Sequence, residues 1–358
     1  MISAVEAHIN LTALKHNLER VRQAAPNAKI MAVIKANGYG HGMLQVAEAL
    51  SGVDAFAVAR LHEAAQLRQA GIRNEIAVLE GFQNSFELDL FAQHNLQAVI
   101  HQQSQIDLLE NARLEQPLQV WLKVDSGMHR MGVAPEAVKS CWQCLQKIEA
   151  VAAVRLMTHL ASADDRRSEQ TDQQLATFKQ AITGIKAETS IANSAGILGW
   201  PQTHSDWVRP GVMLYGVSPF VGGWGEDDDL EPVMSLTSRL IAVNHFKKGD
   251  AISYGASWVC PEDMPIGVVA CGYGDGYPRH VTPGTMVLVN GRRVPLVARV
   301  SMDSICVDLR QQPDAEVGDH VLLWGEGLPV EEIAEAALTI PYELLCSVTS
   351  RVAFHYIT

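Results

Sequence analysis

The sequence has no apolar run long enough to span a bilayer. Its longest, such as IGVVACGYG, falls far short of the roughly 20 residues a membrane helix needs. The opening MISAVEAHINLTALKHNLER lacks the basic and apolar regions of a secretory signal. Six cysteines spread over 358 residues make no disulfide framework, so a cytoplasmic location is expected. Positive charge is scarce: 28 Lys and Arg stand against 40 Asp and Glu, for a net charge of −12. Such a field repels phosphate backbones and anionic lipid surfaces, which excludes nucleic acid and membrane as partners. No Gly-x-Gly-x-x-Gly turn follows the first strand candidate, which argues against a dinucleotide-binding sheet. Repeats of fixed period and low-complexity segments are lacking too, and no metal site is expected. Cys141 and Cys144 in CWQC have redox-motif spacing, but they lie inside PEAVKSCWQCLQKIEA, an amphipathic helical pattern that favours a structural reading.

What is present is alternation. Strand-like runs occur at residues 29–35, 54–59, 75–80, 96–100, 118–125, 151–160, 190–195 and 207–216. Helical patterns separate most of them, beginning after a first helix TALKHNLERVRQAA capped by Asn10 or Thr12. Eight strands alternating with helices match the count of a (β/α)8 barrel, with a doubly wound sheet as the alternative. The barrel domain spans 1–225, its first few residues free to pack on the C-terminal domain. After PFVGGWGEDDDLEP (219–232) the pattern becomes antiparallel β, with an Asn290-Gly291 hairpin signal and one late helix, VEEIAEAAL. That mainly β domain spans 226–358.

In a barrel, active sites sit at the carboxyl ends of the strands. Lys35 ends the first strand candidate, where desolvation favours the neutral amine that Schiff-base chemistry requires. From position alone the commoner reading is a lysine reaching out to water, and the residues that follow shift it. The following ANGYGHG allows a tight turn and supplies Tyr39, a candidate phosphate ligand. Lys123, on an otherwise apolar strand beside Asp125, needs an ionic partner or a modification. His159, Ser194 and Arg209 converge on the same rim. Ser194, Gly211 and Val212 fall after strands seven and eight, where barrels commonly bind phosphate. In the second domain Tyr254, Met302, Asp303 and Tyr342 stand out as polar or aromatic points in turn contexts.

VIKANGYGHG around Lys35 resembles the pyridoxal-phosphate attachment motif of the alanine racemases. KVDSGMHRMG, THLASAD, IANSAG, WVRPGVMLYG, SYGASW, CGYGDGYPR, ARVSMDS and IPYELLCS resemble further family segments, in family order and over nearly the whole chain. The resemblance implies a pyridoxal 5'-phosphate enzyme that interconverts L- and D-alanine, supplying D-alanine for peptidoglycan or serving alanine catabolism. It implies that Lys35 carries the cofactor and acts as base on one face of the substrate carbon. Tyr254 acts on the other face from the second subunit, so the enzyme is a homodimer with shared sites. Arg209 would face the pyridine nitrogen, and His159 would pack by the ring and support Tyr254. Arg130 would contact the cofactor's phenolic oxygen and, with the Met302 amide, the substrate carboxylate. Lys123 would be a carbamylated lysine holding Arg130. Tyr39, Ser194, Gly211, Val212 and Tyr342 would hold the phosphate, and Asp164, Tyr273, Arg279 and Ile340 would line the access corridor. Two positions depart from the family: Gly38 where many relatives have alanine, and Ser190 where some have a histidine that tunes the arginine. The rival readings are a broader-specificity or serine racemase of the same fold, a decarboxylase, and a non-catalytic cofactor-binding protein. A decarboxylase would lack the Tyr254 and Lys123–Arg130 set, and the long second domain argues against the last.

Overall fold

The computed structural model describes residues 4–358. Strand β1 (Glu6–Asn10) leads into the helix Leu11–Ala24, which buries Ala13, Leu14, Leu18 and Val21 along one face. Its cap is Asn10, whose Oδ1 accepts from the amides of Thr12 (2.9 Å) and Ala13 (3.0 Å).

Among the described residues, eight parallel strands then close into a barrel. They are β2 (Lys29–Val33), β3 (Ala55–Val58), β4 (Glu75–Val78), β5 (Gln97–Ile100), β6 (Leu118–Lys123), β7 (Val151–Met157), β8 (Thr189–Ser190) and β9 (Trp207–Val208). Lys29 and Ile30 of β2 pair with Trp207 and Val208 of β9 to complete the ring. The lower interior is an ionic plug rather than a hydrocarbon layer. Arg155 pairs with Glu75 (2.9 Å) and Glu188 (2.8 Å), and its guanidinium lies over the rings of Trp121 and Trp207. This network occupies the amino ends of the strands, where barrels place stability, and leaves the carboxyl ends for chemistry.

Several strands are shorter than the sequence pattern implies. β2 stops at Val33, two residues before Lys35, because the backbone turns left-handed from Ala36 onward. β7 stops at Met157, so His159 stands beyond it. β8 and β9 are two residues each, and Ser194 opens a helix, Ser194–Gly199. Arg209 lies just past β9, followed by Pro210, which has no amide to extend the ladder.

The remaining strands are β10 (Met234–Phe246), β11 (Ala251–Ile252), β12 (Trp258–Val259), β13 (Met264–Val269), β14 (Met286–Val289), β15 (Arg292–Val297), β16 (Ile305–Asp308), β17 (His320–Trp324) and β18 (Ala353–Ile357). All except the β11–β12 ribbon join one sheet, ordered β13-β16-β15-β14-β17-β10-β1-β18. β1 therefore belongs to this sheet, antiparallel to β10 and parallel to β18. Asn290 and Gly291, both at positive φ, make the β14–β15 hairpin. The expected single late helix is two, Val330–Ala336 and Pro341–Ser347. Leu338 at φ 54° ends the first, and Pro341 starts the second with the dihedral a first helical turn needs. Tyr342, expected in a turn, thus sits on a helix. The 219–232 segment is tied down by Glu331, whose Oε1 accepts from the amides of Ser218 (3.2 Å) and Gly225 (3.1 Å). Among the described residues, no helix is long and apolar enough to cross a membrane.

Candidate active site

Lys35 projects from the carboxyl end of β2. The residues after it, Ala36, Asn37, Gly38, Tyr39 and Gly40, all have positive φ. Glycine takes that conformation freely and asparagine tolerates it, whereas Ala36 and Tyr39 in it cost about 1–2 kcal/mol each. The turn carries Tyr39 back beneath the barrel mouth, where its ring stacks on Tyr215 at 4.8 Å and meets Tyr342 at 6.1 Å. Tyr215 is itself anchored by a hydrogen bond from its hydroxyl to the Val33 carbonyl (3.2 Å). Burial pushes the Tyr342 hydroxyl up to about 12, with a contribution from nearby Asp164. Burial raises the Tyr39 hydroxyl as well. Both hydroxyls therefore stay protonated and able to donate at neutral pH.

Ser194 completes a cradle beside Tyr39. Its Oγ accepts from the amides of Gly211 (2.9 Å) and Met213 (3.4 Å), and Val212 lies between them. A Cβ on Gly211 would stand 2.7 Å from the Tyr39 Oη, so the position has room for glycine only. The Tyr39, Tyr342 and Ser194 hydroxyls and the backbone at Gly211 and Val212 form a donor-rich corner that suits a phosphate dianion.

Arg209 is buried at the opposite side of the mouth. Its Nη1 donates to Ser190 Oγ (2.6 Å), whose hydroxyl donates to the Trp207 carbonyl (2.9 Å). Its Nη2 donates to the carbonyls of Thr158 (2.5 Å) and Ile191 (3.3 Å) and lies 3.4 Å from His159 Nδ1. Burial pushes the guanidinium down to about 10, which leaves it protonated at neutral pH. Burial, then Arg209 and Lys123, hold the His159 imidazole well below its ordinary value, so it is neutral.

Lys35, Lys123, Arg130, Arg209 and His159 share one electrostatic environment. Burial lowers the Lys35 amine, Arg130 lowers it further, and Glu63, Glu80 and the Cys346 thiol oppose them. Burial pushes Lys123 down to about 8, aided by Arg209, Arg130 and Lys35, with Asp125 opposing. Among the described residues, Lys35, Lys123 and Arg130 form no ion pair, so of the two readings for Lys123, an ionic partner or a modification, the first has no carboxylate to supply it. A cluster of cations without anionic partners is costly unless a ligand or modification brings negative charge.

The structure thus brings together Lys35, Tyr39, Lys123, Arg130, His159, Asp164, Ser194, Arg209, Gly211, Val212 and Tyr342. Tyr254, Met302 and Tyr273 are 72 %, 52 % and 38 % exposed on the β domain. Their backbone neighbours lie in that domain: Ser253 Oγ donates to the Arg299 carbonyl (3.4 Å), Gly274 N to the Met302 carbonyl (2.8 Å) and Tyr273 N to the Ser301 carbonyl (3.1 Å). Asp303 pairs with Arg351 (2.8 Å) in the same region. Arg279 and Ile340 are exposed. Sequence reasoning missed Tyr215, Thr158, Glu63 and Cys346. None lies in a pattern that distinguishes it from a packed ring, a strand-end hydroxyl, a helix-face acid or an ordinary thiol. In CWQC, Cys141 is buried on the helix Val138–Leu145. The Cys144 thiol donates to Glu110, which with burial pushes it up to about 11, the reverse of a reactive thiolate.

The sequence model described as alanine racemase, N-terminal domain, matches residues 9–219, and that described as alanine racemase, C-terminal domain, matches 233–356. An alanine racemase of Nitrosococcus oceani is 56 % identical over 348 residues, covering 97 % of this chain and 98 % of the relative. The biosynthetic alanine racemase of Escherichia coli is 50 % identical over 358 residues, covering 99 % and 100 %. The crystal structure of the biosynthetic alanine racemase from Pseudomonas aeruginosa superposes with a TM-score of 0.97 at 43 % identity, covering both chains completely. Barrel, β domain and barrel-mouth cluster together with these matches establish that the chain belongs to the alanine racemase family.

Proposed function

We propose that this protein interconverts L- and D-alanine using pyridoxal 5'-phosphate carried on Lys35, as a homodimer in which each site is completed by the partner subunit's Tyr254. The observation that carries the proposal is the partly desolvated Lys35 amine standing among unpaired cations, next to a cradle with room for glycine only at Gly211. That arrangement fits a phosphate-bearing aldehyde and an amino-acid carboxylate. When bound, pyridoxal phosphate supplies an aldehyde that joins amines and a ring that spreads the electrons left behind when a proton leaves.

The protein's own groups do the rest. Tyr39, Ser194, Tyr342 and the amides at Gly211 and Val212 would hold the phosphate. Arg209 would hold the ring nitrogen. A guanidinium has donors only and keeps its protons, so it supports that nitrogen without protonating it. Neutral His159 would pack by the ring. Lys35 Nζ removes or returns the α proton on one face, and Oη of the partner subunit's Tyr254 does so on the other, which inverts the centre. Arg130 and the backbone amide of the partner subunit's Met302 would bind the substrate carboxylate. Lys123, with its amine lowered to about 8 and so about half deprotonated at that pH, is suited to carbamylation, and the resulting carbamate would pair with Arg130. Asp164 and Ile340, with Tyr273 and Arg279 of the second subunit, would line the approach. Tyr342 and the partner subunit's Tyr254 would narrow its inner end, favouring a methyl side chain.

Borohydride reduction of the yellow protein, followed by peptide mapping, tests the assignment. The label should fall on Lys35, and a label on another lysine would overturn it. Racemisation rates across alanine, serine and a larger amino acid decide the substrate. Alanine should be fastest, and an equal or faster rate with serine would favour the serine or broad-specificity reading.

A further inference from the structure

We propose that Glu63 is a positioning residue for Lys35, its carboxylate fixing the left-handed turn from which the amine is presented. The proposal rests on the reading of Lys35 as the reacting amine. Five consecutive residues, 36–40, have φ of 52°, 55°, 64°, 52° and 83°. Two of them, Ala36 and Tyr39, carry side chains that disfavour this region, while Asn37 tolerates it. Such a run persists only where the surroundings over-determine it. Its later part is self-supporting. Gly40 N donates to the Ala36 carbonyl (3.0 Å) and Gly42 N to the Asn37 carbonyl (2.9 Å), while Asn37 Oδ1 accepts from Met43 N (3.0 Å). Its first amide, Ala36 N, depends on another unit of the barrel and donates to Glu63 Oε1 at 2.7 Å.

That amide shares a peptide plane with the Lys35 carbonyl, so the bond fixes the direction in which the chain leaves Lys35. Glu63 is 8 % exposed, and its other oxygen accepts from Ala59 N (2.9 Å) and Arg60 N (3.0 Å). One buried carboxylate thereby clamps the loop after β2 to the loop after β3. Capping the helix Leu61–Gln69 requires only the second oxygen. The first is aimed at the lysine turn, 27 residues away in sequence. The same carboxylate stands in the field of Lys35. There it acts with Glu80 and Cys346 against Arg130 from the loop after β6, while Lys123 and Arg209 add positive charge to the same mouth and His159 there is neutral.

The test uses the holoenzyme and two substitutions. Glu63→Gln can accept on one oxygen only, and Glu63→Asp can still cap the helix but is too short to reach Ala36. Both should speed hydrogen exchange of residues 34–41 about tenfold or more, with residues 61–69 unchanged in Glu63→Asp. kcat should fall about ten- to hundredfold with KM for alanine little altered, the effect expected when a reacting group is misplaced while substrate binding stays intact. In Glu63→Gln the limb of the kcat/KM profile that titrates Lys35 should move to lower pH, because an opposing negative charge has been removed. If Glu63→Asp keeps wild-type exchange at 34–41 and wild-type kcat, Glu63 is a helix cap only and the proposal fails. Borohydride mapping of the unsubstituted enzyme separates the two claims. A label elsewhere than Lys35 overturns the cofactor reading, whereas a label on Lys35 with unchanged Glu63 variants overturns this one alone.

Discussion

Ser190→Ala removes one hydroxyl and breaks two hydrogen bonds at once. Arg209 Nη1 loses its acceptor at 2.6 Å, and the Trp207 carbonyl loses its donor at 2.9 Å. Ser190 is fully buried and Arg209 is 5 % exposed, so water does not readily replace either partner. A hydrogen bond to a charged group contributes about 1.5–3 kcal/mol, and a buried group left unsatisfied costs a similar amount. The remaining Arg209 bonds to the carbonyls of Thr158 and Ile191 hold the guanidinium in place and limit the loss. A destabilisation of about 2 kcal/mol results. With an unfolding entropy of about 2.1 cal/mol/K per residue, it should lower Tm by about 3 °C in a chain of this size. Thermal unfolding of the parent, Ser190→Ala, Arg209→Leu and the double variant measures it. The double-mutant cycle should return most of the loss as coupling between the two residues. Ser190→Thr, which keeps the hydroxyl, is the control for the side chain's packing. A Tm for Ser190→Ala within about 1 °C of the parent, or strictly additive single effects, would refute the reasoning that Ser190 supports Arg209.

Three other perturbations test separate parts of the site. Lys35→Ala and Tyr254→Phe should each abolish nearly all racemisation, and equal mixing with subunit exchange should restore roughly a quarter of the parent activity. Half the dimers are then mixed, and one of the two sites in each is intact; no recovery would rule out a site shared across the subunit boundary. Lys123 is held near pH 8 in the fold against an ordinary 10.5, so the unfolded chain binds the extra proton between those values. Stability of the carbon-dioxide-free protein should therefore rise with pH from about 8 to about 10.5, a slope that Lys123→Met removes. Added ¹³C-bicarbonate should give a carbamate NMR signal in the parent and none in Lys123→Met. Gly211→Ala places a methyl 2.7 Å from the Tyr39 hydroxyl. It should weaken pyridoxal-phosphate binding about tenfold or more in a fluorescence titration, and unchanged affinity would remove Gly211 from the phosphate site.

How much of the fold and the site is legible in the sequence depends on the range of each interaction. Apolar alternation at strand and helix spacing depends on neighbours a few residues apart, and it carries the eight-strand count. It overestimates strand length wherever the chain turns at the mouth, because Ile34, Leu160 and Val212 continue the apolar pattern after the ladder has stopped. The split of the last helical region at Leu338 is hidden because a single leucine at positive φ leaves no compositional mark.

Periodicity and motif are local properties, so the eight-strand alternation, the β domain after it and the family resemblance at the mouth are all readable along the chain. Folding is what places β1 in the second domain's sheet, between β10 and β18. It also decided that Ser190 supports Arg209, that Lys123 lacks an ionic partner among the described residues and that Glu63 reaches Ala36. Each of these depends on elements whose approach is set by barrel closure and buried packing, and no short stretch of sequence encodes that geometry.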